Sequence, residues 1–92
     1  MLGACRIERY EVLDSTNAAV KRAIEAGEAA GLVVCALRQT AGYGRRGHRW
    51  ESPEGGLYAS VLLRLEVSDA VLATLPLVAG LAVLDACERC AP

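Results

Sequence analysis

Missing from these 92 residues are an excess of positive charge, a regular cysteine spacing, an apolar run long enough to span a membrane, and any internal repeat. Ten Lys and Arg stand against eleven Asp and Glu, a formal net charge of −1. That balance argues against general coating of nucleic acid, which needs basic residues spread over a face. Cys5, Cys35, Cys87 and Cys90 form no disulfide framework. Cys87 and Cys90 make a C-x-x-C, but no second pair stands at zinc spacing and no thioredoxin-like βα context surrounds them. Reduced, structural thiols fit a cytosolic chain. The longest apolar-rich run, Ala70 to Leu84, contains Pro76 and is bounded by Asp69 and Asp85. It falls short of the ~20 residues of a membrane span, so a buried core helix is expected there. Residues Met1 to Cys5 lack the charged and apolar regions of a targeting segment. The expectation is a soluble, cytoplasmic chain of at most one domain, with no membrane partner. At 53% hydrophobic and 23% charged, it should be globular rather than disordered.

What is present is concentrated in Arg38 to Trp50. This stretch holds Arg38, Arg45, Arg46 and Arg49, three of the nine glycines, the only His and the only Trp, and no acid. Gly42, Gly44 and Gly47 lack a β-carbon, so the backbone there can take positive φ and bring its N–H groups close to a ligand. Arg45 and Arg46 add forked donors suited to phosphate or carboxylate. A loop without secondary structure of its own is expected, built to meet an anion. The bland reading of the same residues is a solvated basic turn.

Arg6 to Leu13 reads as a first strand. Asp14, Ser15, Thr16 and Asn17 follow, residue types that favour helix N-caps because their side-chain oxygens accept from backbone N–H groups. One cap needs one side chain, which leaves the other polar groups at that helix start able to hold something. A helix from Thr16 or Asn17 to Ala26 buries Ala19, Val20, Ala23 and Ile24 and stops at Gly27. Leu32 to Leu37 is a continuous apolar run suited to a central strand buried on both faces. Leu57 to Leu65 alternates, with Leu57, Ala59, Val61, Leu63 and Leu65 on one face and Tyr58, Ser60, Leu62 and Arg64 on the other. Ala70 to about Arg89 is helical and apolar almost all round, expected to lie deep in a core after restarting near Thr74 or Leu75, because Pro76 suits a first turn. Such a helix needs partners on every side, which so few other elements do not supply.

Gly42 to Gly47 matches G-x-G-x-x-G literally, but a dinucleotide fingerprint must open a helix. Trp50, Pro53, Gly55 and Gly56 lead straight into a strand instead. A kinase glycine-rich loop also lies between strands, yet the next strand carries Arg64 and no lysine.

The neighbouring motifs are more telling. Asp14 to Asn17, then Gln39 to Trp50, then Ser52 with Pro53 and Gly56 to Ser60, in this order and spacing, strongly resemble the first part of the catalytic domain of biotin protein ligases. The resemblance runs from about Tyr10 to about Cys87. It implies an α+β fold, a mixed sheet with helices of the class II aminoacyl-tRNA synthetase/biotin ligase kind, here incomplete. It implies an enzyme that uses ATP and Mg2+ to convert biotin to biotinyl-5′-adenylate and then acylates a lysine of a biotin carboxyl carrier domain, as in acetyl-CoA carboxylase. Carried over by motif, Ser15, Thr16, Asn17, Gln39, Tyr43, Gly44 and Arg45 are the biotin-binding positions, with Arg45 also catalytic. Gly42, Arg46, Gly47 and Trp50 belong to the adenylate loop, and no metal ligand is assigned. Tyr43 and His48 stand where basic residues are usual.

The resemblance also implies parts not found among these residues: a lysine that meets the activated carboxyl, a later glycine-rich segment and a C-terminal barrel. No helix-turn-helix precedes the motifs, so a DNA partner is not expected. The expectation is residues 1–92 as the N-terminal portion of the catalytic domain, without turnover alone. Two other readings stay open: a small RNA-binding element in which Tyr43, Trp50 and the arginines meet bases and phosphate, and a non-catalytic fragment that folds with a partner.

Overall fold

The computed structural model describes residues 5–90, with the side chain of Arg45 outside that description. Its elements are β1 (Arg6–Leu13), α1 (Thr16–Glu25), β2 (Leu32–Gln39), a 3-10 turn (Arg45–Gly47), β3 (Tyr58–Val61), α2 (Asp69–Leu72) and α3 (Leu75–Cys90). The three strands form one mixed sheet in the order β1-β2-β3. β1 runs parallel to β2 with α1 as the crossover, and β3 returns antiparallel to β2. A parallel pair needs such a crossover, and an antiparallel pair does not.

Local chemistry accounts for α1. Ser15 is extended and its side chain accepts from Ala18 N, while Ala26 caps the other end and Gly27 follows at φ 78. Val20 and Ala23 on its inner face pack with Leu32, Val34 and Leu62 into the core. Each fully buried Val or Leu of this kind is worth about 1.5–3 kcal/mol over leaving it exposed.

Four expectations are corrected. β2 is central in order but buried on one face only: Leu32, Val34 and Ala36 face α1, while Leu37 on the other side is 51% exposed. The expected strand Leu57–Leu65 is regular only over Tyr58–Val61, and its less apolar face is the buried one. Ser60 and Leu62 turn toward α1, whereas Leu57, Val61, Leu63 and Leu65 are exposed. The reason is register: Ser60 pairs with Val34 and shares its side, so it must face α1. Third, α3 does start anew after Thr74, with Pro76 in its first turn, but it has no buried residue. Fourth, against the expectation that no run here is long enough for a membrane span, the helical stretch Asp69–Cys90 is long and apolar enough by length and composition to cross one, because α2 and α3 extend the run beyond Ala70 to Leu84, and 0% of it is buried.

Both β2 and the loop after it are better ordered than expected. β2 continues through Arg38 to Gln39, and Thr40 N and Ala41 N still bond Leu13 O and Asp14 O. The chain returns when Ser52 bridges antiparallel to Gln39. The basic loop therefore leaves and re-enters at one point, the C-terminal end of β2 beside the start of α1.

Candidate functional site

At this point a connected set of polar side chains lies largely out of solvent. Ser15, Thr16, Ser52 and Ser60 are all buried, at 9% exposure or less. Gln39 Oε1 accepts from Thr16 N at 2.7 Å, and Gln39 Nε2 donates to Ser52 Oγ at 3.1 Å. Thr16 Oγ1 lies 2.8 Å from Ser60 Oγ, and the Ser60 hydroxyl donates to Asn17 Oδ1. Buried polar groups cost free energy unless paired, and no buried side-chain N or O among the described residues lacks a partner.

Of the three polar residues expected at the helix start, Ser15 is the cap, Thr16 is buried and Asn17 is exposed. Asp14 does other work. Its carboxylate takes two bonds from Arg22, at 2.9 and 3.1 Å, and one from Ser15 N. The Arg22 guanidinium, and then the Ser15 N–H, hold the Asp14 carboxyl below its ordinary pKa.

The basic loop is a small closed structure. Tyr43 bridges Arg49, Trp50 N donates to Gly42 O at 2.8 Å, and Gly44 N donates to His48 O at 2.7 Å. The N–H groups of Gly44 and Gly47, expected to face a ligand, thus bond within the loop, Gly47 N to Gly44 O at 3.2 Å. Gly42 and Gly44 are needed for close approach. A β-carbon on Gly42 would lie 2.5 Å from Ser52 Oγ and 2.7 Å from Gln39 Nε2, and one on Gly44 would lie 2.6 to 2.7 Å from the Trp50 indole. Positive φ falls instead on Gly47 (φ 73) and Arg46 (φ 59). For arginine that conformation is unusual. Tyr43, which stands where a basic residue is usual in the family it resembles, is itself met by a cation: Lys21 Nζ sits 5.1 Å from its ring centroid. Ala41, Gly42, Tyr43, Gly47 and Arg49 line an open hollow of about 320 Å³.

The structure thus brings Thr16, Asn17 and Gln39 together and hangs the loop residues Gly42 to Trp50 beside them. Ser52 and Ser60, both in the third motif, join this set. Their burial beside Gln39 and Thr16 is a tertiary fact. Among the described residues no three His, Cys, Asp or Glu side chains stand together to hold a metal ion.

The chain is similar in sequence and fold to several solved proteins. The biotin protein ligase of Aquifex aeolicus, solved with biotin and ATP, is 40% identical with a TM-score of 0.73 over 91% of this chain and 34% of its own. That of Leishmania major, solved with biotinyl-5-AMP, is 38% identical with a TM-score of 0.66 over 84% of this chain and 32% of its own. The biotin acetyl coenzyme A carboxylase synthetase of Helicobacter pylori, with bound biotinylated ATP, is 25% identical with a TM-score of 0.57 over 62% of this chain. The chain spans between 28% and 34% of the length of these three structures. No curated protein sequence matches it. A family model does match, over residues 10–91, and by it the chain belongs to the biotin/lipoate A/B protein ligase family.

Proposed function

We propose that the chain is the N-terminal portion of the catalytic domain of a biotin protein ligase, a soluble cytoplasmic enzyme with the class II aminoacyl-tRNA synthetase-like architecture. The whole protein activates biotin with ATP to biotinyl-5′-adenylate, releasing pyrophosphate. It then passes the biotinyl group to a lysine of the biotin carboxyl carrier domain of acetyl-CoA carboxylase. The observation that carries this reading is the 2.7 Å bond from Thr16 N to Gln39 Oε1. It joins the first of the three motifs to the second at the base of the basic loop, and Gln39 Nε2 ties in Ser52 of the third.

In this reading Ser15 caps and aims α1, so that Thr16 and Asn17, with Gln39, meet the ureido ring. Tyr43, Gly44 and Arg45 approach the biotin carboxylate and the acyl phosphate, and Gly42, Arg46, Gly47 and Trp50 shape the adenylate loop. The chemistry requires this charge, because a carboxylate must attack the α-phosphate and the two anions repel. A basic loop closing over the mixed anhydride would also keep water from it. Magnesium belongs to the reading as the partner of the ATP phosphates.

Isothermal titration of the purified chain with biotin and with lipoate tests the assignment. Preference for biotin is expected, and binding of lipoate alone would overturn it. Since the chain spans about a third of its solved relatives, turnover by the 92 residues alone is not expected. Release of biotinyl-adenylate from biotin and ATP would sink that expectation.

A further inference from the structure

Lys21 is the only lysine in the chain. It is exposed on α1, one helical turn before Glu25. At that spacing an ion pair is the ordinary arrangement on a helix. Among the described residues, however, the ion pairs are Arg22 with Asp14 and Arg89 with Asp85. The Lys21 ammonium is turned to the basic loop instead, 5.1 Å from the centroid of the half-buried Tyr43 ring. A cation within about 6 Å of an aromatic face is drawn to the negative side of the ring's quadrupole.

Tyr43 is placed where such a contact has leverage. On one side of it Gly42 leaves no room for a β-carbon before Ser52 and Gln39, and on the other Gly44 leaves none before the Trp50 indole. Two backbone bonds, Trp50 N to Gly42 O at 2.8 Å and Gly44 N to His48 O at 2.7 Å, tie the turn across. These contacts shape the turn and close its neck, but they leave its lean against the fold to others. Lys21 reaches it from a different element. Because α1 is itself held by packing with Leu32, Val34 and Leu62, a ring fixed at Lys21 fixes the turn to the body of the fold.

We propose that Lys21 is a positioning residue whose ammonium, set against the Tyr43 ring, pins the basic loop onto α1, so that the loop stands assembled before any ligand arrives. An unpinned loop would sample open positions and order only on its ligand. What the loop then holds rests on the biotin reading above, whereas the pin does not.

Trypsin tests the pin in the unliganded 92-residue chain, because Arg46 and Arg49 are exposed in the loop and are cut most readily when it opens. Where opening and closing are fast, the cutting rate follows the open population. Lys21→Met keeps an unbranched stem and removes the charge. It is expected to speed cleavage after Arg46 and Arg49, followed by mass spectrometry, by roughly two- to fivefold, the worth of one exposed cation–π contact. Lys21→Arg, which keeps the cation, should be cut at the wild-type rate. In a Tyr43→Leu background the ring is gone, and Lys21→Met should then change nothing further. With a single lysine in the chain, isotope-labelled lysine gives one ε-methylene NMR signal. It is expected upfield of free lysine under the ring current of Tyr43, and back at the free position in Tyr43→Leu. Equal cleavage of wild type and Lys21→Met overturns the proposal, as does the same effect of Lys21→Met with and without the ring, or a wild-type signal at the free-lysine position. None of these measurements contains biotin. Titration with biotin can therefore fail while the pin holds, and the pin can fail while biotin binds.

Discussion

Gly42 stands where a β-carbon would meet Ser52 Oγ at 2.5 Å and Gln39 Nε2 at 2.7 Å. Gly42→Ala must therefore push apart the two groups of a bond that turns Gln39 toward the site. Leaving a buried donor or acceptor unpaired costs about 1–3 kcal/mol, and chemical denaturation is expected to show a loss of that size. In a Ser52→Gly background one clashing atom is gone, so the added cost of Gly42→Ala should shrink. Asp14 makes a gentler prediction. Its carboxyl titrates below the ordinary value because Arg22 and the Ser15 N–H favour the charged form. A depressed folded-state value stabilises the fold above the unfolded-state value and loses that stabilisation as pH falls through the folded one. Asp14→Asn should thus be less stable than wild type near neutrality, and the two should converge below about pH 4. Both partners are about half exposed, at 56% and 47%, which keeps the difference under ~1 kcal/mol. Curves that stay parallel at low pH would rule out the ion pair as its source.

At the scale of elements, β1, α1 and the break before α3 follow from residue pattern. The alternation in Leu57 to Leu65 likewise marks two faces. Alternation does not say which face goes inward when the richer one lies opposite the helix packed on the sheet. Here α1 takes the face of Ser60 and Leu62, because that is where the register with β2 puts it. The loop Arg38 to Trp50 was legible in composition but not in form. Hydrogen bonds between its own ends turn an expected open coil into a closed turn. α3 offers a test of its surroundings. A β-carbon on Gly80 meets nothing within 4 Å, so Gly80→Ala should gain about 1 kcal/mol of helix propensity. Circular dichroism should show more helix and a higher melting temperature. A loss instead would mean that Gly80 packs closely against another surface in solution.

For the whole molecule, the buried apolar set is small: Val20, Ala23, Leu32, Val34, Ala36 and Leu62. Against it stand the exposed faces of β2 and β3 and all of α3, with Leu77 at 67% and Leu81 at 58% exposure. Exposed apolar surface on this scale is rare on a free monomer and marks contact with another surface. The purified 92-residue chain is expected to bind a hydrophobic dye and to sediment as more than a monomer at micromolar concentration. A dye-free monomer would show α3 folded back on the open sheet face.

Sequence alone determined the things that depend on neighbours in the chain: the cap at Ser15, the stop at Gly27, the restart before Pro76, and the order and spacing of three motifs that identify the family. Those features arise from backbone preferences and residue spacing, which act locally. Only the tertiary structure decided which face of each strand is covered, that α3 is exposed, and that Ser52 and Ser60 join Gln39, Thr16 and Asn17. Pairing across the sheet and the packing of α1 on it bring residues separated by 13 to 44 positions within a hydrogen bond, and no local preference encodes contacts at that separation.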